Sequence, residues 1–333
     1  MKPSRRAISG VLLFDKATGL SSNHALQQVK RLYQAEKTGH TGTLDPLASG
    51  LLPLMFGEAT KFAADLIDAS KTYRTTVRLG FASSTGDAEG LIAPVQGSVP
   101  LASITRTRAE AVCRQFVGEI QQVPPMFSAL KKDGKPLYEY ARGGVELDRQ
   151  ARTIQIHRLD VIDLAYSANG GEEECTLTLE VECSKGTYVR TLGEDLAKTL
   201  GTAGYLTALR RVAIGQLHVE RAHTLESLKA MAQAQASMAE LDSALFPVDS
   251  LLGGLPSIEL NNEFARRFLH GQRLPLTGPL NRAGRVRVYG EASAQDVKNS
   301  PGGQGHVFLG TGNLETDGKG ALLRPERLIQ VNL

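Results

Sequence analysis

The sequence is poor in cysteine and lacks a long apolar run, a nucleotide-binding fingerprint and a cluster of metal-ligating residues. Its three cysteines, Cys113, Cys175 and Cys183, form no CxxC pair and make an odd number, which argues against both a zinc site and a secreted disulfide framework. A reducing compartment fits, and a cytoplasmic location is expected. The N-terminal stretch MKPSRRAISGVLLFDK is basic, but its apolar run covers only Val11 to Phe14. That is far short of a signal-peptide core or of the about 20 residues of a membrane span, so no membrane association is expected. GxxxxGK[ST] is missing, as are HxxH and any persuasive Ser-His-Asp spacing, which turns expectation away from ATP, metal and triad chemistry. The chain is expected to work without a cofactor or metal.

What is present suits a soluble globular protein. At 333 residues the chain exceeds one typical domain and falls short of three, so two are expected. A hydrophobic share of 41% beside 22% charged residues supports a sizeable core without staples. The net charge of +3 is unevenly spread: residues 1 to 40 carry seven Lys/Arg against two Asp/Glu, or +5, leaving −2 for the rest. A second basic cluster, Arg266, Arg267, Arg273, Arg282, Arg285 and Arg287, faces the single acid Glu263 between Asn262 and Val288. Such asymmetry is the footprint of a polyanion partner, although surface solubility accounts for it equally well on charge alone.

Periodicity gives the organisation. In residues 22 to 35, Ala25, Val29 and Leu32 fall on one helical face, with Ser21 or Ser22 as the cap. Ile104 to Phe116 and Leu192 to Leu200 read as two more amphipathic helices. Thr72 to Leu79, Thr153 to Val161 and Cys175 to Cys183 alternate as half-buried strands do. Strands and helices mix without a regular βαβ period, so the fold class is α+β rather than a doubly wound sheet. From Thr224 to Leu245 the chain turns Ala-, Gln- and Met-rich, and Pro247 with the run Leu251 to Pro256 supplies breakers. A boundary is therefore expected near 250, separating residues 1–250 from 251–333. Beyond it, Arg285 to Tyr289, His306 to Leu309 and Leu322 to Leu323 alternate with Gly- and Asn-rich turns, the pattern of a small β-barrel. Asn299 to Gly305 reads as a loop.

The densest chemistry lies in Lys37 to Pro53, KTGHTGTLDPLASGLLP. Its glycines open backbone conformations closed to other residues, and Pro46 biases Asp45 to an extended backbone that presents its carboxylate. A plain Gly/Thr turn in which Asp45 caps the following turn remains the ordinary alternative for any one of these residues.

Over its whole length this segment resembles the signature of the TruB-type pseudouridine synthases. The resemblance continues through Gly10 to Lys16 (GVLLFDK), Lys71 to Arg74 (KTYR), Val123 to Leu130 (VPPMFSAL), Leu137 to Arg142 (LYEYAR), Ser184 to Leu196 (SKGTYVRTLGEDL) and Leu209 to Arg211 (LRR). It spans about residues 8 to 225. It implies a catalytic domain with a mixed, largely antiparallel sheet flanked by helices, followed by a small PUA-like β-barrel. It places the family's nucleophilic aspartate on Asp45, its paired basic residue on Arg190 and its active-site tyrosine on Tyr73. A guanidinium beside the carboxylate favours the ionised form and is expected to hold it bidentately. The Tyr73 ring can stack on a uracil and its hydroxyl can join proton transfer.

The resemblance further implies that His40 fills the gap left by the extruded base and that Leu209 packs beside the uracil. Lys16 and Tyr188 lie in matching blocks, at the expected edge of the site. Taken singly, Arg190 reads equally as a sheet-edge charge, Tyr73 as a strand residue, His40 as a solvated loop residue and Leu209 as core. The implied reaction exchanges the N1 glycosidic bond of a uridine for a C5 bond, with Asp45 attacking the sugar C1′ or the base C6. The implied substrate is position 55 in the T loop of tRNA, with residues 126–152 as a mobile arm over the T stem-loop. That stretch carries six Lys/Arg, four acids and two tyrosines, a composition that also suits a solvated hairpin. A monomer is expected. Two other classes stay open: a non-catalytic RNA-binding or RNA-folding protein, and an RNA glycosylase.

Overall fold

The computed structural model describes residues 5–169, 172–234, 238–276, 283–291, 306–316 and 320–330. Arg282 and the predicted loop from Asn299 to Gly305 lie outside them. In chain order the first part runs β1 (Gly10–Lys16), α1 (Ser22–Leu32), β2 (Thr38–His40), β3 (Ser49–Phe56), β4 (Lys71–Leu79), a ribbon of β5 (Phe81–Ser83) and β6 (Ile92–Pro94), α2 (Arg106–Gln115) and β7 (Gly118–Gln122). A second ribbon of β8 (Lys131–Lys132) and β9 (Lys135–Pro136) follows, with α3 (Leu137–Arg142). Then come β10 (Arg152–Asn169), β11 (Glu172–Cys183), α4 (Val189–Thr199), β12 (Gly204–Ile214), β13 (Leu217–His218), α5 (Leu225–Ala234) and α6 (Ala239–Ser243). The C-terminal part holds β14 (Ser257–Leu260), α7 (Asn262–Leu269), β15 (Leu274–Leu276), β16 (Gly284–Glu291), β17 (His306–Thr316) and β18 (Ala321–Leu328).

The α+β class holds. The large sheet has the order β1-β3-β12-β4-β11-β10-β7, with β2 beside β3 and β13 beside β12. Every pairing in it is antiparallel except β12 with β3, where Arg210 opposes Ser49 and Arg211 opposes Gly50. The strands β1 and β3 are apolar along nearly their whole length because both faces are covered. Leu12, Phe14, Leu52 and Leu54 face a core shared with α1 and α4, whereas Val11, Leu13, Leu51 and Met55 face a second core with Phe62 and Leu251. Gly50 is required where β3 meets β12: its φ is +99° and a Cβ there would lie 2.3 Å from the Arg211 carbonyl oxygen.

Helix α1 starts as expected, with the Ser21 hydroxyl accepting from the His24 backbone N–H at 3.2 Å. It ends earlier than its periodicity suggests, because Gln34 turns left-handed at φ +52°, and Tyr33 is drawn inward to donate to the Leu241 carbonyl at 2.8 Å. Helix α4 begins three residues before the predicted Leu192. Arg190 lies on its buried face, so a charge interrupts the apolar spacing on which the expectation rested.

The C-terminal strands form a five-stranded sheet, β14-β16-β17-β18-β15, curled into a half-barrel around Phe268, Val288, Leu309 and Leu323. It joins the first part through Phe308, which stacks obliquely on Phe62 and Tyr289 at centroid distances of 5.6 and 5.5 Å. Arg285 pairs with Asp65 and Glu326, Arg287 donates to the Leu255 carbonyl at 3.0 Å, and Tyr289 donates to Asp249 at 2.6 Å. Two of the six clustered arginines are thus spent on this junction rather than free for a polyanion, which corrects the reading from charge alone. Arg266 and Arg273 are exposed. No helix of the described residues is long and apolar enough to cross a membrane.

Phe308 is 8% exposed, and Phe308→Ala is expected to lower the unfolding free energy by about 2–4 kcal/mol through lost burial and the cavity left behind. A loss below about 0.5 kcal/mol in denaturant titration would show that this junction does not stabilise the chain.

Candidate active site

The signature segment folds as β2, a loop over residues 41–48, and β3. Three anchors hold the loop. The Ser22 hydroxyl donates to the Leu44 carbonyl at 3.0 Å and accepts from its N–H at 2.8 Å. The Gly19 N–H donates to the Pro46 carbonyl at 2.8 Å. The Arg211 guanidinium, 1% exposed, donates to the carbonyls of Leu51 and Gly42 at 2.8 and 2.7 Å. Gly42, at φ +67°, is what allows Arg211 so close, since a Cβ there would lie 3.1 Å from its Nη1. With its loop clamped on both sides, Asp45 keeps a side chain 44% exposed.

Asp45 opens into a cleft of about 120 Å³ lined by Thr43, Leu44, Ala48, Tyr73, Thr187, Tyr188, Val189, Arg190 and Leu209. Five of the seven residues expected at the site, Asp45, Tyr73, Tyr188, Arg190 and Leu209, therefore meet there from four separate stretches of chain. Arg190 approaches Asp45 with one contact, Nη2 to Oδ2 at 3.0 Å. The bidentate grip expected from sequence is not what forms. The guanidinium directs its hydrogen bonds to the Thr85 and Phe127 carbonyls, at 3.0 and 2.7 Å, and its Nη1 lies 3.5 Å from Asp87. Asp87, with a side chain 4% exposed, is fixed in turn by the Thr85 hydroxyl at 2.6 Å and the Glu89 N–H at 3.1 Å.

Tyr73 lies on β4 in register with Arg211 on β12. Burial pushes its phenol upward, opposed by the nearby Arg211 charge, so at neutral pH the ring enters the cleft protonated. Leu209, 9% exposed, supplies an apolar wall. Tyr188 precedes α4, its backbone gripped at both polar atoms by the Gln122 side chain, which donates to its carbonyl at 3.1 Å and accepts from its N–H at 2.8 Å.

Lys16 and His40 do not line the cleft. Lys16 is fully buried, not at an edge: its ammonium donates to the Ala17 and Leu20 carbonyls at 2.9 and 2.7 Å, shaping the turn that bonds to Pro46. Burial pushes it down to about 8, against the pull of Asp45 and Glu89. His40 lies on β2 with its Nδ1 buried and unpartnered, and burial with the Arg211 charge lowers its pKa. It is therefore neutral at pH 7. The residues that sequence reasoning missed are Asp87, Gln122 and Arg211. The Gly- and acid-rich turn from Ser83 to Gly90 could have flagged the first, and the LRR block already contained the last. Among the described residues, no group of three or more His, Cys, Asp or Glu is placed to hold a metal ion.

The pattern of the TruB family pseudouridylate synthase N-terminal domain matches residues 30–189, and that of the tRNA pseudouridylate synthase B C-terminal domain matches 190–253. A third, pseudouridine synthase II TruB C-terminal, matches 256–295. A Ralstonia pickettii protein named tRNA pseudouridine synthase B is 53% identical over 332 residues, covering 99% of this chain and 97% of that protein. The chain belongs to the TruB family. A Burkholderia mallei protein of the same name is 52% identical over 291 residues, covering 86% of this chain and 91% of that one. In fold, the chain is similar to a protein in a structure of an H/ACA RNP bound to a substrate RNA containing 2′-deoxyuridine. The TM-score is 0.67 at 21% identity, over 97% of this chain and 85% of that one. A Cbf5-Nop10-Gar1 complex gives 0.66 at 22% identity, over 96% and 84%. The fold that carries the Asp45–Arg190 pair of this chain is thus shared with proteins only 21–22% identical in sequence.

Proposed function

We propose that this chain isomerises the uridine at position 55 in the T loop of tRNA to pseudouridine, with Asp45 as nucleophile on a flipped-out base. The observation that carries the reading is the convergence of Asp45, Tyr73, Tyr188, Arg190 and Leu209 on one cleft, with the guanidinium 3.0 Å from the carboxylate. A cation held there by carbonyls and a second acid keeps the nucleophile oriented. A stacked base cannot reach it, so the uridine is extruded at a cost of a few kcal/mol, recovered by stacking on Tyr73 and packing against Leu209. Asp45 attacks C1′ or C6 and the N1–C1′ bond breaks. The held base turns and C5 bonds to C1′; the bond to Asp45 breaks and frees its carboxylate, and the C5 proton leaves as N1 gains one. Atoms and charge balance without a donor or redox partner, so the reaction calls for no cofactor.

The arm at 126–152 is assigned to the T stem-loop, and His40 to the space the base vacates. A hollow of about 440 Å³ between the arm, Thr85 and α4, lined by Phe127, Glu146 and Arg149, gives the arm room to change its seat. Glycosylase chemistry would share the attack at C1′ but release free uracil. The discriminating experiment incubates pure protein with unmodified tRNA, mapping pseudouridine chemically and assaying uracil.

In that assay Asp45→Asn keeps shape and removes nucleophilicity, so product is expected below about 5% of wild type with tRNA affinity unchanged to within about threefold. Turnover well above that level, or release of uracil, would contradict the assignment. The exposed Arg266 and Arg273 are assigned to phosphate contacts, each contributing about −0.7 to −0.9 to the slope of log affinity against log salt. Replacing both by Ala is expected to flatten the slope by about 1.5 units and to leave the single-turnover rate at saturating tRNA unchanged. An unaltered slope would return them to the role of solubilising charges.

A further inference from the structure

Gln122 is the last residue of β7, and its backbone opposes Arg152, the first residue of β10. The arm leaves the sheet directly after one and returns at the other, so this rung is the arm's foot. Gln122 is 3% exposed, and its amide does not face the arm. It reaches across to α4, donating from Nε2 to the Tyr188 carbonyl at 3.1 Å and accepting at Oε1 from the Tyr188 N–H at 2.8 Å. That is the pairing one peptide unit offers another in a sheet, supplied here by a side chain. The helix start has no side-chain cap of its own, and Arg190 follows two residues later. Five residues beyond Gln122, the Phe127 carbonyl accepts from Arg190 Nη2 at 2.7 Å. The foot of the arm therefore touches the catalytic machinery twice, at the backbone that sets the direction of α4 and at the guanidinium itself.

We propose that Gln122 is a positioning residue, through which the arm's foot holds Tyr188 and so aims the Arg190 guanidinium at Asp45. The inference rests on the pseudouridine synthase reading above. Glutamine suits the job because it alone among side chains of this length offers a donor and an acceptor in one plane without charge. Asparagine is shorter by a methylene, and methionine keeps the bulk but offers neither bond. An ionised glutamate accepts from the Tyr188 N–H but sets an oxygen against the Tyr188 carbonyl. When protonated, it regains the donor. Because β7 is an edge strand of the large sheet, losing these two bonds loosens the arm's foot and the start of α4 while the buried core keeps its contacts.

The test measures single-turnover pseudouridine formation at saturating unmodified tRNA for the full chain, Gln122→Met and Gln122→Glu, with tRNA affinity and Tm alongside. A shift of Arg190 by about 1 Å is expected to slow Gln122→Met about 10- to 100-fold, with affinity within about threefold and Tm within a few degrees. The rate of Gln122→Glu relative to wild type at the same pH is expected to rise as pH falls from about 8 to about 5.5, as the carboxylic acid form restores both bonds. A Gln122→Met rate within about twofold of wild type would overturn the proposal, as would a loss that tracks Tm or affinity. So would a Gln122→Glu ratio that stays flat across pH. Absence of pseudouridine with the unaltered chain would instead refute the functional reading on which the proposal rests.

Discussion

Arg190 carries a full positive charge into the molecule with only 6% of its side chain exposed, and the surrounding segments are arranged to bear it. A guanidinium removed from water is tolerated only when its donors and its charge are met, and stripping one partner from such a group costs about 3–5 kcal/mol. Here the partners come from three different places: Thr85 and Asp87 from the turn after β5, Phe127 from the foot of the arm, and Asp45 from the loop between β2 and β3. One side chain on α4 therefore ties together three segments that surround the site. Satisfying the charge and assembling the cleft are the same event.

The two acids on that guanidinium differ in the way a reactive site requires. Asp87 is closed off and engaged by a hydroxyl and a backbone N–H, so it holds. Asp45 is half open and makes a single 3.0 Å contact, which leaves carboxylate lone pairs for a substrate. Burial, with the Asp87 and Asp45 carboxylates nearby, pushes the Glu89 carboxyl upward against the opposing pull of Arg190 and Lys16. Arg211 works on the far side of the same loop: buried among carbonyls, it fixes Gly42 and β3 and lies close to Tyr73. The parallel rung that sets Arg211 against Gly50 allows both arginines to serve one loop.

Much of this was legible in the sequence, for identifiable reasons. The spacing of Ala25 and Val29 and the alternation through β4 and β11 reflect burial on one face, which periodicity reports directly. The signature run around Asp45 was legible because glycines, Pro46 and an acid coincide there. What escaped detection lies where one residue serves a partner remote in sequence. Gln122 carries no signal of its own until Tyr188, 66 positions away, is placed beside it. The Gly- and acid-rich turn around Asp87 carries no hint of its remote partner Arg190, and Arg285 was counted as a free charge because Asp65 lies 220 positions earlier. Lys16, read as an edge residue, is buried because its ammonium closes the turn after β1. Charge counts and motif blocks carry no information about such pairings.

The site depends on the shape of the Arg190 fork as well as on its charge, and Arg190→Lys separates the two. Lysine keeps the cation but cannot reach the Thr85 and Phe127 carbonyls while facing both acids. The most direct measurement is the single-turnover rate of pseudouridine formation by Arg190→Lys at saturating tRNA. The expected result is a fall of about 100-fold or more with RNA affinity retained. A rate within about tenfold of the unaltered protein would mean that charge alone suffices, and would contradict a central role for the geometry of that guanidinium.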